Sequence, residues 1–440
     1  MTLLRLEMAL ALAVLTCGPV LLWRRRDNIL GYLAGGMFLS SILLPLLGTP
    51  VLDRFDPRIV EQAAAVLLVG AAGYLGGLAC GARIGGRAPD KVPLTFTRRL
   101  AEREVPPLVL TRTRVLGGAS VVALVAGFLL LGYVPFLAPD RQAAKYGVGV
   151  YQGAFERGAA LYRLALALSG ATFPVVLVIV ARRRRAFDVG LAVAIGGGLL
   201  LSLSRSTAFS GPLLFGIAWA VQRRIRPALI VGAVCLAFSA GALVNEILYP
   251  VPGQPGSLAT RVAASAPDVG DQLGFLRGFE ATGSQRTGVR TLVSGISFSK
   301  GEWDPSTYAI RTLTGLTDVS GLASGGIRLP APVWGYAAFG LVGALLWPFI
   351  SGVFAGWGVT KLKRWLADVG DGPGSSLNLV LAATFYTGTF GVLANFYFPA
   401  SVGIVLLGVA VALGVAVRVR LSGPQSAVPE RVAGTMPHLG

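Results

Sequence analysis

The sequence has 440 residues, of which 54% are hydrophobic and 14% charged, and its mean hydropathy is +0.67. This composition excludes a water-soluble globular protein, because such domains carry about a quarter charged residues. The formal charge of +18 comes from Arg and Lys in short segments between apolar runs. It therefore indicates membrane topology and not a nucleic-acid partner.

Apolar runs long enough to cross a bilayer recur from the N-terminus to about residue 417. They predict an all-α polytopic membrane protein of about eleven transmembrane helices. The predicted spans are residues 3–23, 29–51, 60–81, 115–137, 160–181, 187–204, 206–221, 228–249, 333–359, 376–397 and 399–417. The transmembrane domain is thus residues 1–420, with a loop at 250–332 between helices 8 and 9, and the polar tail 421–440 is predicted to be disordered and cytoplasmic.

Cations occur in alternate connections between these spans, and short cytoplasmic loops retain Arg and Lys. The cation-rich connections hold Arg24 to Arg26, the segment 83–114, Arg182 to Arg185, Arg223 to Arg226, Lys361 to Arg364, and Arg418 with Arg420. We therefore predict that the N-terminus and the loop 250–332 lie outside and the C-terminus inside. The predicted location is a bacterial cytoplasmic (inner) membrane, with 83–114 as a cytoplasmic surface loop.

Glycines recur at four-residue spacing in two spans. Gly73, Gly77 and Gly81 do so in the third, and Gly352 and Gly356 in the ninth. Small residues on one helical stripe let backbones approach closely, which predicts packing within the bundle, with dimerisation as the alternative.

Few residue types are available for chemistry. Cys17, Cys80 and Cys235 each lie inside an apolar run, and the single histidine, His438, lies in the polar tail. This pattern predicts neither a disulfide framework nor a metal site, and no cofactor. Any chemistry must use Arg, carboxylates, hydroxyls or amides.

Arg205 stands at the tip between the sixth and seventh spans. The anchors Arg185 and Arg223 are separated by 37 residues, which leaves about 18 per crossing, near the lower limit for a span. Arg205 is therefore held at or below the outer interface, where it either binds an anion or extends to the headgroups.

The loop 250–332 is too long for a simple connector, and a weak helical pattern over 258–282 predicts that it is partly folded. Arg286 and Arg290 are four residues apart and would share one face if this segment is helical, while Arg311 and Arg328 add two cations to the same side. Guanidinium groups bind phosphate bidentately. The alternative for each residue is a solvated, salt-bridged surface.

Two carboxylates in the motif KGEWDPSTY are candidates for a general base. Glu302 and Asp304 flank Trp303 and precede Tyr308, whose rings suit stacking on sugars. Without a histidine in the loop, a base on the outer side must be a carboxylate, and Glu246 is a further candidate. A structural role is the alternative for each.

The pattern resembles the oligosaccharide repeat-unit polymerases, the Wzy-like and O-antigen polymerase families. The resemblance rests on the number of spans, the hairpin SLSRSTAFSG, the large late outer loop, and the run GGIRLPAPVWGYAAFGLVGALL that leads into the next helix. It covers most of the chain in architecture and about 60 residues in motif. It implies a GT-C-like fold.

The resemblance implies a metal-independent glycosyltransferase that polymerises repeat units on the outer face during cell-surface polysaccharide synthesis. Polyprenyl-pyrophosphate-linked glycans would be donor and acceptor, membrane lipids would surround the site, and a chain-length regulator could be a further partner. Arg205, Arg290 and Arg328 would neutralise the pyrophosphate, and Glu302 or Asp304 would deprotonate the acceptor. The implied substrate-binding residues are Arg286, Arg311, Trp303, Tyr308 and Tyr336. The related ligases need an outer-loop histidine, which this chain lacks.

Two other functions stay open. A flippase or transporter of lipid-linked glycans needs a polar central cavity, but the spans hold few charges and we predict no paired interrupted helices. A GT-C transferase that uses polyprenyl-phosphate sugars would depend on Asp53 and Asp56 in the first outer turn, although short turns commonly contain Asp.

Overall fold

The computed structural model describes residues 2–22, 29–48, 50–86, 107–248, 268–283, 286–291, 303, 305–316 and 329–368. All regular structure within them is helical. The α-helices are α1 Thr2–Leu21, α2 Ile29–Phe38, α3 Leu44–Gly48, α4 Pro57–Gly85, α5 Pro107–Leu131, α6 Arg141–Tyr146, α7 Gln152–Arg183, α8 Ala186–Leu201, α9 Arg205–Gln222, α10 Pro227–Leu248, α11 Asp268–Ala281, α12 Pro305–Thr314 and α13 Ala331–Asp368. The predicted spans 376–397 and 399–417 and the tail 421–440 lie outside the described residues.

Each of the first nine predicted spans overlaps an apolar helical segment. Six segments are long and apolar enough to cross a membrane: Thr2–Val20, Gly31–Gly48, Pro57–Gly85, Thr113–Leu131, Arg141–Ala181 and Ala331–Lys361. Shorter apolar helices account for the sixth, seventh and eighth predicted spans. An all-helical, membrane-embedded architecture is therefore what the described chain has.

Local chemistry sets the helix boundaries. Asp56 caps α4 by accepting a hydrogen bond from the backbone N–H of Arg58 at 2.9 Å, and Pro57 supplies the first helical residue. The π-helical segment Leu39–Leu43 joins α2 to α3 directly before Pro45. Proline cannot donate the regular backbone bond and clashes with the preceding turn, so the helix widens there.

The predicted span 115–137 has both ends misplaced. Helix α5 begins at Pro107 and ends at Leu131, where Gly132 adopts φ 72° and donates its N–H to the carbonyl of Phe128 at 3.0 Å. The predicted surface loop 83–114 is correspondingly shorter, since α4 continues to Gly85. Hydropathy located the apolar centre of this helix but not its polar first turns.

Helix α13 is interrupted, which the hydropathy pattern did not predict. Phe339 has φ −138° and ψ 19°, and Gly340 has φ 68° and ψ −151°, so residues 331–338 and 341–368 form two separate arms. A Cβ on Gly335 would overlap the carbonyl oxygen of Gly343. In a continuous helix these residues would be about 12 Å apart along the axis. The short arm therefore folds back on the long one.

The glycine stripes pack against each other inside the chain, as predicted. Added Cβ atoms on Gly77 and Gly81 would overlap the carbonyl oxygens of Phe349 and Val353 in the long arm. In return, a Cβ on Gly356 would overlap the carbonyl oxygen of Leu78. Helices α4 and α13 thus meet backbone to backbone, which confirms intramolecular packing for these stripes.

The buried apolar side chains form one large cluster and two smaller ones. The large cluster joins α1, α2, α4 and the long arm of α13 to α11 and α12 from the loop 250–332. The smaller clusters join α7 to α5 and α8. Helix α9 packs against α2 and α10 on one side and α7 and α8 on the other, so it connects the two regions.

Contacts at one end of the bundle join segments that the charge pattern predicts to lie outside. The guanidinium of Arg5 lies 3.4 Å from the carboxylate of Asp53. The guanidinium of Arg277 on α11 lies 5.5 Å from the ring centre of Phe55. Helix α11 is therefore anchored on the first predicted outer turn.

Contacts at the other end join segments predicted to be cytoplasmic. Arg114 forms two hydrogen bonds, of 2.7 and 2.8 Å, with the carboxylate of the buried Asp188. The ammonium of Lys363 donates to the carbonyl of Leu22 at 3.3 Å. These contacts agree with the alternation of charge along the chain.

Candidate functional site

The broken end of the short arm of α13 organises the candidate site. The last carbonyl groups of a helix have no partner inside it, and they need one where water is scarce. Here the backbone N–H groups of Thr287 and Gly288 donate to the carbonyls of Ala337 and Ala338, at 3.1 and 3.2 Å. The segment 286–291 is thereby fixed against the break.

Arg286 adds a charged hydrogen bond to the same helix end. Its guanidinium donates to the carbonyl of Tyr336 at 2.5 Å and lies 4.6 Å from the centre of that residue's ring. The ring of Phe279 on α11 lies 5.5 Å from the same guanidinium. A cation at the carboxyl end of a helix is electrostatically favourable. Arg286 is thus oriented by groups on both α11 and α13.

Arg290 points to a different partner. Its guanidinium lies 5.2 Å from the ring centre of Trp303, and the residue is exposed. The condition under which Arg286 and Arg290 would share a face is not met, because residues 286–289 are not helical and Gly288 adopts φ 55°. The two guanidinium groups instead lie on separate rings.

Trp303 and Tyr308 pack on each other and do not stand apart as two open platforms. Their ring centres are 5.8 Å apart with an interplanar angle of 24°. Tyr308 also contacts Phe275 and Trp334, at 6.1 and 6.4 Å between ring centres. Burial raises the pKa of Tyr308, so its hydroxyl stays protonated at neutral pH.

A continuous aromatic network connects these residues. Phe275 and Phe279 are one turn apart on α11 with ring centres at 6.1 Å, and Phe279 lies 6.2 Å from Tyr336. The hydroxyl of Tyr336 accepts a hydrogen bond of 2.6 Å from the side-chain amide of Gln62 on α4. The cluster therefore rests on the membrane helices as well as on the loop.

We call Arg286, Arg290, Trp303, Tyr308 and Tyr336 the Arg–aromatic cluster. Arg286 contacts Tyr336, and Arg290 contacts Trp303, which packs on Tyr308. Phe275 and Phe279 connect these two groups. A guanidinium over a ring keeps its charge and its outward N–H edge. The cluster therefore offers the N–H edge of Arg290 to phosphate oxygens, and its aromatic rings are the type of group that packs on the apolar face of a sugar.

The structure describes only some of the other predicted site residues, and for these it gives mainly their positions on helices. Arg311 is partly buried in the last turn of α12. Arg205 is the first residue of α9, directly after the turn of Ser202 to Ser204. Predictions for Arg328, Glu302 and Asp304 lie outside the described residues.

The turn before Arg205 is tightly built. Leu203 is buried and adopts φ 57°, and the N–H of Ser204 donates to the carbonyl of Leu199 at 3.0 Å. The hydroxyl of Tyr162 on α7 donates to the carbonyl of Ser202 at 3.3 Å. The predicted helical hairpin is confirmed, and its backbone is held by a third helix.

The two carboxylates of the GT-C alternative have structural partners. Asp53 is paired with Arg5, and Asp56 caps α4. Within the described residues, no group of three or more His, Cys, Asp or Glu side chains is placed to hold a metal ion.

Sequence reasoning missed three members of this region. Gln62 is a polar residue inside an apolar span, and Phe275 and Phe279 recur at i and i+4, so both features were visible as signals. Gly340, the glycine at the break, lies in the run GYAAFGLVG, which the sequence analysis used only for the family resemblance.

Comparisons with protein-family models, curated proteins and solved structures give no significant match to this chain.

Proposed function

We propose that this protein polymerises polyprenyl-pyrophosphate-linked oligosaccharide repeat units on the outer face of a bacterial inner membrane. The observation that carries the proposal is the Arg–aromatic cluster, which collects guanidinium groups and rings from three parts of the chain beside a broken membrane helix. Pyrophosphate and sugar are the two chemical parts of such a substrate, and guanidinium edges and aromatic rings are the groups that bind them.

In this mechanism Arg290 binds the pyrophosphate of the donor, and the developing negative charge on the leaving group is stabilised by its guanidinium. Arg205 and Arg328 supply further positive charge, and Glu302 or Asp304 takes the proton from the acceptor hydroxyl. Arg286 is engaged with the carbonyl of Tyr336, so we assign it to positioning the cluster.

A gel of lipid-linked and surface polysaccharide from the native host tests the proposal. The strains express wild type, no protein, Arg290→Ala, Arg205→Ala or, as a control on the predicted opposite face, Arg223→Ala, at matched membrane abundance. We expect the deletion, Arg290→Ala and Arg205→Ala to reduce a long ladder to single-repeat material. The control should keep the ladder. An unchanged ladder in the deletion strain would contradict the proposal.

A flippase for lipid-linked glycans is the second candidate, and the interruption of α13 favours it. Non-helical backbone at membrane depth is tolerated where it is buried in protein or lines a water-filled cavity, and transporters use broken helices at substrate sites. Loss of all outer-face glycan in the deletion strain, with accumulation of single repeats on the inner face, would select this function over polymerisation.

A further inference from the structure

The connection between α5 and α7 forms a compact, structured element. We call residues 132–163, which include α6 and the first three turns of α7, the collar. Tyr133 closes it by donating its hydroxyl to the carbonyl of Ala144 at 3.0 Å and by packing on Tyr151 with ring centres 4.8 Å apart. Burial raises the pKa of Tyr133 to about 12, so this hydrogen bond persists at physiological pH.

Four cations of the collar are oriented by its own rings and carbonyls. Arg141 donates to the carbonyl of Phe136 at 3.0 Å and lies 5.1 Å from its ring centre. The ammonium of Lys145 lies 5.0 Å from the ring centre of Tyr146. None of these partners carries a negative charge, so each cation keeps its full positive charge.

Arg163 extends toward the same end of the molecule. It lies about 17 Å below the start of α7, yet its guanidinium is 5.5 Å from the ring of Phe155, two turns closer to that start. An arginine that reaches back along its helix in this way brings its charge from the apolar region to the polar interface. Arg157 is exposed one turn and a half above it.

The two acidic residues of the collar accept hydrogen bonds from neutral groups of the collar itself. Asp140 accepts the N–H of Ala143 at 2.9 Å and caps α6, and Glu156 accepts from the side chain of Gln152 at 3.0 Å. Among the described contacts, neither carboxylate forms an ion pair with a collar cation. The collar therefore presents four positive charges against two carboxylates, one of which caps a helix while the other binds a neighbouring side chain on its own helix.

Aliphatic side chains project from the same element. Leu137 is 71% exposed and Val150 is 92% exposed, each within a 3₁₀ turn, Pro135–Leu137 and Gly149–Tyr151. Exposed aliphatic tips, tyrosines and cations on one element are the composition of a membrane-interface segment.

We propose that the collar binds the phosphate headgroups of anionic phospholipids, with Leu137 and Val150 inserted among the acyl chains. Oriented cations without acidic partners complement a phosphodiester, and the two aliphatic tips fit the hydrocarbon boundary. A folded protein partner would find only two small apolar side chains on the collar, so a lipid surface is the occupant that the chemistry favours. The collar would hold this end of α5 and α7 at a fixed depth.

Native mass spectrometry of the full-length protein in neutral detergent tests this directly. Short-chain phosphatidylglycerol and phosphatidylcholine are titrated in parallel, and the ratio of the two bound populations is measured. We expect wild type to prefer phosphatidylglycerol. Arg141→Gln combined with Lys145→Gln should reduce that preference about tenfold or more. Each Lys or Arg near an anionic lipid surface strengthens binding by about fivefold.

Two control pairs sharpen the test. Arg141→Lys with Lys145→Arg keeps both charges and should keep the preference. Arg223→Gln with Arg226→Gln neutralises two cations of another connection and should reduce it much less. An equal fall in this second pair, or no fall in the first Gln pair, overturns the proposal.

A variant that replaces Arg141 also loses a backbone hydrogen bond, so elution profile and thermal midpoint are checked first. If that variant does not fold, Lys145→Gln with Arg163→Gln replaces it, since the described contacts of these two side chains are ring contacts only. The same loss of preference is expected, and its absence contradicts the proposal equally.

Discussion

Arg286 and Arg290 illustrate how two identical residues close in sequence take different roles. Both residues are exposed, but Arg286 donates a hydrogen bond to a helix carbonyl and lies over two rings, whereas Arg290 lies over one ring. The groups around Arg286 belong to the fold, and the open edge of Arg290 is available to a ligand.

Thermal unfolding in detergent should separate these roles. Arg286→Ala removes a charge-assisted hydrogen bond at the broken helix end and should lower the free energy of unfolding by about 1–2 kcal/mol. Arg290→Ala should change it by less than about 0.5 kcal/mol, as exposed substitutions do. Equal losses in the two variants would argue against a positioning role for Arg286.

At the scale of elements, the residue pattern predicted helices well and their contacts poorly. Hydropathy located nine helices because each apolar run must cross or face lipid. It gave no sign of the interruption at Phe339, since the apolar segment Ala331–Lys361 runs through the break. The partners that stabilise the break, Thr287 and Gly288, lie about 50 residues earlier in the chain, beyond the range of any local pattern.

The same limit applies to the candidate site. Residue chemistry identified Arg290, Trp303 and Tyr308, but the packing of the two rings on each other depends on how α12 docks against α11. Arg286 and Arg290 do not share a helical face, because residues 286–289 are not helical and Gly288 has a positive φ. Residue chemistry therefore predicted which residues are candidates for the site. Tertiary contacts determine which of their atoms are packed and which stay accessible.

Gly340 provides a test of the interrupted helix. Its φ of 68° and ψ of −151° are accessible almost only to glycine, so Gly340→Ala should cost about 1–3 kcal/mol in unfolding free energy. Gly118→Ala on α5 is the matched control, since an added Cβ there meets no atom within 4 Å and alanine favours helix. A neutral Gly340→Ala in thermal unfolding would mean that α13 is continuous.

The interface of α4 with α13 can be tested at adjacent positions. Gly77→Ala forces a Cβ into the backbone carbonyl of Phe349 and should cost about 1–3 kcal/mol by overpacking. Gly76→Ala meets only the Phe349 side chain, at 3.6 Å, and should be nearly neutral. Denaturant or thermal unfolding of both variants measures the difference, and similar values would place the interface elsewhere.

At the scale of the whole molecule, the orientation of the bundle in the membrane links the sequence to the proposed function. Contacts of Arg5 with Asp53 and of Arg277 with Phe55 lie at the end that holds the Arg–aromatic cluster. The pair Arg114 and Asp188 joins segments that the charge pattern assigns to the opposite side. A polymerase that uses lipid-linked glycans needs its cluster on the outer face, so topology is a condition of the proposed function.

Labelling with a membrane-impermeant maleimide in intact and permeabilised spheroplasts measures that condition. Cys17, Cys80 and Cys235 are first replaced by Ala. Val289 is 60% exposed, so the substitution Val289→Cys then reports on the side of the membrane where the cluster lies. Arg223→Cys, at the exposed turn after α9, reports on the other end. We expect Val289→Cys to react in intact spheroplasts and Arg223→Cys only after permeabilisation, because the positive-inside rule holds Arg223 in the cytoplasm. The reverse pattern would place the Arg–aromatic cluster in the cytoplasm, where it could not act on glycans already moved across the membrane, and the polymerase proposal would have to be abandoned.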